Sequence, residues 1–176
     1  MSVNLIEWSS KISQAEKTRQ GIAPLTEQID SLSLKDAYSI QLEQVHRKVN
    51  EGDHITGKKI GLTSLAMQQL LKVDEPDYGH LLESMAITNN VLDCSECIKP
   101  RVEAEIAFVM KEDLIGPNVT LEQVLAATDY VVASLEVVDS RIKDWKIKLL
   151  DTIADNASSA KYVLGDQKKQ IDEIDL

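Results

Sequence analysis

The sequence predicts an α+β fold in a single domain of 176 residues, mainly helical over residues 1–72 and built around a β-sheet over residues 91–166. A change of hydrophobic period supports this division. Apolar residues recur every three or four positions between residues 33 and 49, as on one face of a helix. From Arg101 to Met110 the side chains alternate, as on a strand. No repeat or low-complexity linker divides the chain.

Two N-terminal helices follow from amphipathic patterns. The stronger pattern begins after Ser33, which together with Asp36 resembles an N-terminal cap, and it ends near Gly52, a residue type that commonly stops helices. Its apolar face consists of Leu34, Tyr38, Leu42, Val45 and Val49. A weaker pattern of the same kind over residues 5–19 predicts the first helix.

The next segment combines glycines with a short helical stretch. Residues 57–64, GKKIGLTS, form a short strand-like segment flanked by glycines, and Ser64 is placed to cap a helix over residues 65–72. Residues 74–79, DEPDYG, predict a turn, because proline presets φ and glycine tolerates positive φ.

The C-terminal part contains three predicted strands and one helix. The strands cover residues 101–110, 130–138 and 160–164, and the helix begins at a capping-box sequence at Thr120 and runs to about Thr128. Alternate side chains of a strand point the same way, so Glu103 and Glu105 share one face of the first strand.

The charge balance limits the classes of partner. The chain has 19 Lys and Arg against 29 Asp and Glu, a formal charge of 19 − 29 = −10, which disfavours nucleic acid and anionic membrane surfaces. An anionic substrate would therefore need a local positive site. No apolar run reaches the length of a membrane span and the N-terminus is not a signal peptide, so we expect a cytoplasmic protein.

Cys94 and Cys97 form a solitary CxxC sequence. A structural zinc site needs two further ligands, and the three histidines lack the paired spacing of such sites. The simpler interpretation is two small residues in a turn of a reduced protein.

Three glutamates are candidate metal ligands. Glu103 and Glu105 project in parallel from one strand, and Glu136 interrupts a strand that is otherwise largely apolar, where a lone carboxylate is costly to bury. A bound Mg²⁺ or Mn²⁺ ion would remove the electrostatic repulsion between these carboxylates. Both ions prefer oxygen ligands. From the spacing alone, a solvated sheet face remains the simpler interpretation of Glu103 and Glu105.

Two further segments are ambiguous on their own. Lys59 lies between Gly57 and Gly61, which permit close approach of an anionic ligand, although such a lysine is commonly a surface charge. The small and polar residues 151–159, DTIADNASS, suit either a loop that lines a pocket or an ordinary connection between strands.

Five segments in order resemble one enzyme family: GKKIGLTS, DEPDYG, RVEAEIAFV, SLEVVDSRIKDWKIK and DTIADNASS. The family is that of the 2-oxopent-4-enoate hydratases, or 2-keto-4-pentenoate hydratases, of meta-cleavage aromatic degradation. With the 4-oxalocrotonate decarboxylases it belongs to the fumarylacetoacetate hydrolase superfamily. The resemblance runs from about Ile22 to Asp166. It implies a mixed, bent β-sheet beside N-terminal helices, and a homo-oligomer.

The resemblance also implies a reaction and its residues. Water would add to 2-hydroxypenta-2,4-dienoate to give 4-hydroxy-2-oxopentanoate, with a divalent metal, Mg²⁺ or Mn²⁺, holding the substrate's oxygens. The implied metal ligands are Glu103, Glu105 and Glu136. Lys59 and Asp77 are the implied catalytic residues, and Ser158 and the backbone near Leu71 the implied substrate contacts.

Two alternatives stay open within this resemblance. A 4-oxalocrotonate decarboxylase uses a similar metal-bound enol, although the tryptophan after Asp144 is closer to the hydratases. Family members also continue beyond the position of Leu176. The sequence therefore also predicts an incomplete sheet, and allows a truncated, non-catalytic fragment or paralogue that binds metal or a partner chain.

Overall fold

The computed structural model describes residues 3–71, 73 and 75–175, without the side chains of residues 67, 70 and 71. Within these residues the helices are α1 (Leu5–Thr18), α2 (Leu25–Gln28), α3 (Leu34–Asn50), α4 (Leu65–Leu71), α5 (Leu121–Ala127) and α6 (Leu149–Ala154). The strands are β1 (Ile55–Gly61), β2 (Asp77–Leu82), β3 (Arg101–Met110), β4 (Thr128–Val138) and β5 (Ser159–Leu164). None of the described helices is long and apolar enough to cross a membrane.

The two predicted N-terminal helices are confirmed, and local sequence explains their starts. At α3 the Asp36 amide donates to Ser33 Oγ and the Ser33 amide donates back to Asp36 Oδ2, each over 3.1 Å. Trp8 and Ile12 of α1 and Ala37 and Ile40 of α3 pack into one buried cluster with Leu25, Ile142, Ile153 and Ala154. This cluster joins the N-terminal helices to α6, which precedes the last strand.

The predicted apolar face of α3 is wrong in part, because Val45 is buried but Leu34 and Val49 are exposed. Gln41 and Gln44 are buried instead, since their side-chain amides donate to backbone carbonyl oxygens.

The first sheet pairs β1 with β2, and it corrects the predicted turn over residues 74–79. Residues 77–79 are part of β2, with Asp77 opposite Gly61 and Gly79 opposite Lys59. The Tyr78 ring also stacks on Tyr38 of α3, with ring centroids 4.6 Å apart. Pairing with β1 and this contact outweigh the turn preferences of proline and glycine, which act only locally.

The second sheet has the order β3-β4-β5 and contains the three predicted strands. Glu103 lies opposite Glu136 and Glu105 opposite Ser134. The expectation of a mixed sheet is wrong for the described residues, in which both sheets are antiparallel and parallel pairing is confined to isolated bridges. Alternation along a strand does not determine the direction of its partner, so the chain itself gave no signal for mixed pairing.

A buried polar pair links α3 to β2. Gln41 Nε2 donates to the carbonyl oxygens of Tyr78 at 3.0 Å and Ile153 at 2.9 Å. Its Oε1 therefore faces the His80 ring and accepts from Nδ1 over 2.9 Å. Burial lowers the pKa of His80 to about 4. His80 is thus neutral in the folded chain at pH 7.

We expect His80 to make the folded chain less stable as the pH falls from 6.5 towards about 4. In this window the unfolded chain binds a proton at His80 and the folded chain does not, so protonation favours unfolding, by roughly 3 kcal/mol at most. Urea unfolding at several pH values gives the free energy of unfolding as a function of pH, and this dependence is compared between wild type and His80→Gln. The matched variant of exposed His54, His54→Gln, should retain the wild-type slope of unfolding free energy against pH. An equal slope in His80→Gln and wild type would contradict the prediction.

Candidate active site

Three glutamates converge where β3 pairs with β4. Each of Glu103, Glu105 and Glu136 offers one carboxylate oxygen, and these oxygens all lie within 4.8 Å of one another. The register explains the cluster, since Glu103 faces Glu136 directly and Glu105 lies two residues further along the same face of β3. Glu136 is buried, whereas Glu103 and Glu105 are exposed. The structure thus brings together the three predicted ligands.

The Glu136 carboxylate has one ion pair and one unused oxygen. Its Oε2 lies 3.1 Å from Lys59 Nζ, and both side chains are largely shielded from solvent. Its buried Oε1 has no hydrogen-bond partner in the described part of the chain. A buried oxygen without a partner is costly in free energy, and a bound cation would remove that cost.

The charges around Glu136 also suit a cation. Partial burial, followed by the charges of Glu136 and Glu103, raises the pKa of Glu105, with Lys59 opposing the shift. Among the described residues one ammonium group, that of Lys59, forms an ion pair with these three carboxylates, through Glu136, so the cluster carries excess negative charge. Oxygen donors with such a charge fit a hard divalent cation.

Asp77 and Lys59 meet beside Gly61. A Cβ atom built on Gly61 would collide with Asp77 Oδ1 and would lie 3.5 Å from Lys59 Nζ. Asp77 is 3% exposed, and its Oδ2 has no hydrogen-bond partner among the described residues. Burial raises the pKa of Asp77, although the Lys59 charge opposes this. The two predicted catalytic side chains are therefore close together, next to Glu136.

We expect Gly61→Ala to lower the free energy of unfolding by roughly 1–3 kcal/mol, because its methyl group would displace the Asp77 carboxylate. Gly57→Ala is a matched control in the same strand, where the new Cβ would meet Leu81 Cδ1 at an ordinary 3.8 Å. Urea unfolding of both variants measures the difference. Equal stabilities would show that Gly61 is not needed for the close approach of Asp77.

Ser158 lies on a turn that packs against β2. Asn156, Ala157 and Ser158 all have φ between 53° and 55°, a left-handed conformation that is costly for residues other than glycine. The Asn156 side chain holds this turn, because it accepts from His80 N at 2.8 Å and donates to His80 O at 2.9 Å. Gly79, the neighbour of Lys59 across the sheet, has no space for a Cβ beside Asn156 O.

The two predicted substrate contacts, Ser158 and the backbone near Leu71, are not joined to the glutamates, Lys59 or Asp77 by hydrogen bonds among the residues that the structure describes. In the described part of the chain the Ser158 hydroxyl donates to Asp155 Oδ2 at 3.2 Å, and not to Lys59, Asp77 or the glutamates. Leu71 ends α4, and its side chain lies outside the described residues.

Sequence reasoning missed a buried ion pair behind this turn. Arg141 Nε lies 2.6 Å from Asp155 Oδ1, and both side chains are buried. The same guanidinium donates to the carbonyl oxygens of Asp139 at 2.6 Å and Ser159 at 3.1 Å. The pair therefore ties the end of β4 to the left-handed turn. Both residues occur in ordinary polar segments, so neither spacing nor composition distinguishes them from surface charges.

Known proteins similar to this chain include hydratases and a decarboxylase. The chain is 46% identical over 172 residues to a 2-hydroxypent-2,4-dienoate hydratase of Pseudomonas putida, a match that covers 97% of this chain and 78% of that protein. It is 43% identical to a 2-hydroxyhexa-2,4-dienoate hydratase of Comamonas testosteroni, over 94% of this chain and 64% of the relative. It is 40% identical to a 4-oxalocrotonate decarboxylase of Pseudomonas putida, over 94% of this chain and 63% of that protein.

Solved structures agree with the sequence relatives. A 4-oxalocrotonate decarboxylase from Pseudomonas putida G7, complexed with magnesium and adipate, superposes with a TM-score of 0.93 at 37% identity, over 98% of this chain and 66% of that one. The same enzyme complexed with calcium and acetate gives a TM-score of 0.90 at 36% identity, over 98% of this chain and 65% of the enzyme's chain. No family model matches the chain.

The lengths of these proteins differ from that of the chain. It spans 78% of the Pseudomonas putida hydratase and about two thirds or less of the other relatives named above. Identity of 46% extends over almost the whole chain, and the fold agrees over 98% of it. The chain therefore belongs to the 2-keto-4-pentenoate hydratase family, in the branch that also contains 4-oxalocrotonate decarboxylase.

Proposed function

We propose that the chain carries a metal-dependent hydratase activity, which adds water to 2-hydroxypenta-2,4-dienoate to give 4-hydroxy-2-oxopentanoate. The observation that carries this proposal is the convergence of Glu103, Glu105 and Glu136 beside Lys59 and Asp77. The chain is also 46% identical to a 2-hydroxypent-2,4-dienoate hydratase.

The three glutamates would hold Mg²⁺ or Mn²⁺. The unpartnered buried oxygen of Glu136 and the surplus negative charge support this assignment, as do the magnesium and calcium complexes of the related decarboxylase. When bound, the cation supplies a Lewis acid that stabilises negative charge on the oxygens of a 2-oxo acid.

Lys59 would bring positive charge to an otherwise acidic site. Its ammonium lies 3.1 Å from Glu136 and is largely shielded from water, so its attraction for the substrate carboxylate is stronger than at the surface. The positive charge of Lys59 offsets locally the repulsion that a chain of charge −10 exerts on an anionic substrate.

Asp77 would move protons at the far end of the dienoate. Hydration adds a proton to the terminal carbon and the hydroxyl group of water to the adjacent carbon, and the proton of the 2-hydroxyl group is replaced by one on C3 to give the 2-oxo product. Because burial raises the pKa of Asp77, its carboxyl is suited to hold a proton and to transfer it, directly or through a water molecule. Ser158 and the backbone near Leu71 would contact the substrate.

A 4-oxalocrotonate decarboxylase is the second candidate. The observation in its favour is the TM-score of 0.93 with such an enzyme, and the same glutamates and Lys59 would serve either reaction. The hydratase remains our proposal because sequence identity to the hydratase is higher, 46% against 40%.

Turnover of both substrates distinguishes these activities. The chain is incubated with 2-hydroxypenta-2,4-dienoate or 4-oxalocrotonate, with Mn²⁺ or with a chelator, while diene absorbance and CO₂ release are followed. We expect metal-dependent loss of diene absorbance without CO₂. Release of CO₂ from 4-oxalocrotonate without dienoate hydration would establish the decarboxylase instead. Binding of Mn²⁺ and a 2-oxo acid such as pyruvate with no turnover of either substrate would favour a non-catalytic chain.

We also expect a homo-oligomer in solution. Exposed apolar side chains on the face of β3 and β4 opposite the glutamates include Val102, Ile106, Phe108 and Leu135. Exposed apolar groups on one face favour association. Light scattering should therefore give a multiple of 19.6 kDa, and a mass of 19.6 kDa would contradict this.

A further inference from the structure

The two cysteines lie on one short turn that precedes β3. Residues Cys94–Glu96 form a single turn of 3₁₀ helix, which the Cys97 amide closes by donating to Cys94 O over 3.2 Å. Asp93 caps the turn, because its Oδ1 accepts from the Ser95 amide at 2.8 Å. The backbone around both thiols is therefore fixed by hydrogen bonds.

The geometry of this turn brings the two cysteines close together. Cys94 and Cys97 are the first and last residues of a four-residue turn closed by a backbone hydrogen bond, and such turns keep the outer Cα atoms less than about 7 Å apart. Disulfides form between residues whose Cα atoms are about 4.4–6.8 Å apart. Both cysteines are reduced, Cys94 exposed and Cys97 half-buried.

The two thiols have different access to solvent. An exposed thiol is the one that a dissolved reagent reaches first, which assigns the first step to Cys94. Burial raises the pKa of Cys97, and Asp139 and Cys94 contribute in the same direction. Cys97 is thus less accessible to reagents but close to its partner.

We propose that Cys94 and Cys97 form a reversible disulfide by exchange with a small organic disulfide. The Cys94 thiolate attacks one sulfur of the reagent and releases one thiolate, which leaves a mixed disulfide on Cys94. The Cys97 thiolate then attacks the Cys94 sulfur and releases the second thiolate. The protein loses two electrons and two protons, and the reagent is reduced to two thiols.

The residues that follow Cys97 are held by hydrogen bonds, so the structural change on disulfide formation should be limited to the turn that carries Cys94 and Cys97. The amides of Ile98 and Lys99 donate to the two carboxylate oxygens of Asp139, each over 2.7 Å. Lys99 O accepts from Trp145 Nε1 at 3.0 Å. These bonds hold the entrance to β3 whether the thiols are reduced or oxidised. Oxidation should therefore leave the three glutamates in place.

Mass spectrometry of the full chain tests the proposal, with 2-hydroxyethyl disulfide as the reagent and dithiothreitol as the reductant. We expect a loss of about 2 Da, a Cys94–Cys97 cross-link in the peptide map, and full reversal by reductant. The equilibrium constant for this oxidation should be at least about tenfold larger in the folded chain than in denaturant, because the turn holds the thiols together.

Single variants identify the order of the steps. Cys97→Ser should stop at a stable mixed disulfide on Cys94, whereas Cys94→Ser should react more slowly than wild type. Wild-type chain that accumulates mixed disulfides without a cross-link would overturn the proposal. An equilibrium constant no larger in the folded chain than in denaturant would overturn it as well. The measurement does not depend on hydratase activity, so failure of the proposed function leaves it intact.

Discussion

Replacing Glu136 by glutamine is expected to weaken Mg²⁺ and Mn²⁺ binding by about 100-fold or more, as removal of a charged ligand generally does. Glutamine keeps the shape of the side chain but removes its negative charge. Glu136 is the buried member of the cluster, and its Oε1 has no other hydrogen-bond partner among the described residues. Its loss should therefore cost more affinity than the loss of an exposed ligand.

Calorimetric titration of metal into each variant measures this effect. Glu103→Gln and Glu105→Gln should also weaken binding, but less, since both side chains are exposed. Glu112→Gln removes the same charge from an exposed position beyond β3, and its affinity should equal that of wild type. Unchanged metal affinity in all three cluster variants would show that the ligand assignment is wrong.

Replacing Lys59 by methionine should abolish most turnover while metal affinity stays the same or rises. The ammonium lies 3.1 Å from Glu136, so it competes with a cation for that carboxylate. Its loss removes the positive charge that we assign to binding of the substrate carboxylate. A loss of about 10²–10³ in turnover is typical when a group that stabilises charge in a site is removed.

Lys58→Met is a matched control for this variant. Lys58 is adjacent in β1 but points to the opposite face, where its ammonium lies 5.9 Å from the Tyr78 ring centroid. We expect its turnover and its metal affinity to match wild type. If Lys59→Met loses metal affinity together with turnover, Lys59 supports the glutamate cluster and is not a catalytic residue. Retained turnover would remove Lys59 from the reaction altogether.

Local patterns were sufficient for elements whose structure depends on nearby residues. The reciprocal cap at Ser33 and Asp36 was readable because its partners are three residues apart. Alternation also placed Glu103 and Glu105 on one face of β3 correctly. By contrast, β2 begins in a segment rich in turn-forming residues, and contacts with residues distant in sequence, in β1 and α3, accompany its extended conformation. No local pattern carries that information.

The candidate site depended still more on contacts that are distant in sequence. Lys59 belongs to the first sheet and Glu136 to the second, so spacing gave no reason to pair them. The resemblance to the hydratases named both residues before the geometry joined them. It did not reveal that Arg141 and Asp155 fasten the turn that carries Ser158, because a buried ion pair looks like two surface charges in a sequence.

The most direct test of the metal site is an anomalous difference map from crystals of the chain soaked in Mn²⁺. We expect one strong peak within about 2.0–2.6 Å of carboxylate oxygens of Glu103, Glu105 and Glu136, with Lys59 beside it. The peak should disappear in Glu136→Gln crystals soaked in the same way. Absence of a peak between these glutamates in wild-type crystals, or a peak that persists in Glu136→Gln, would contradict the assignment on which the proposed function rests.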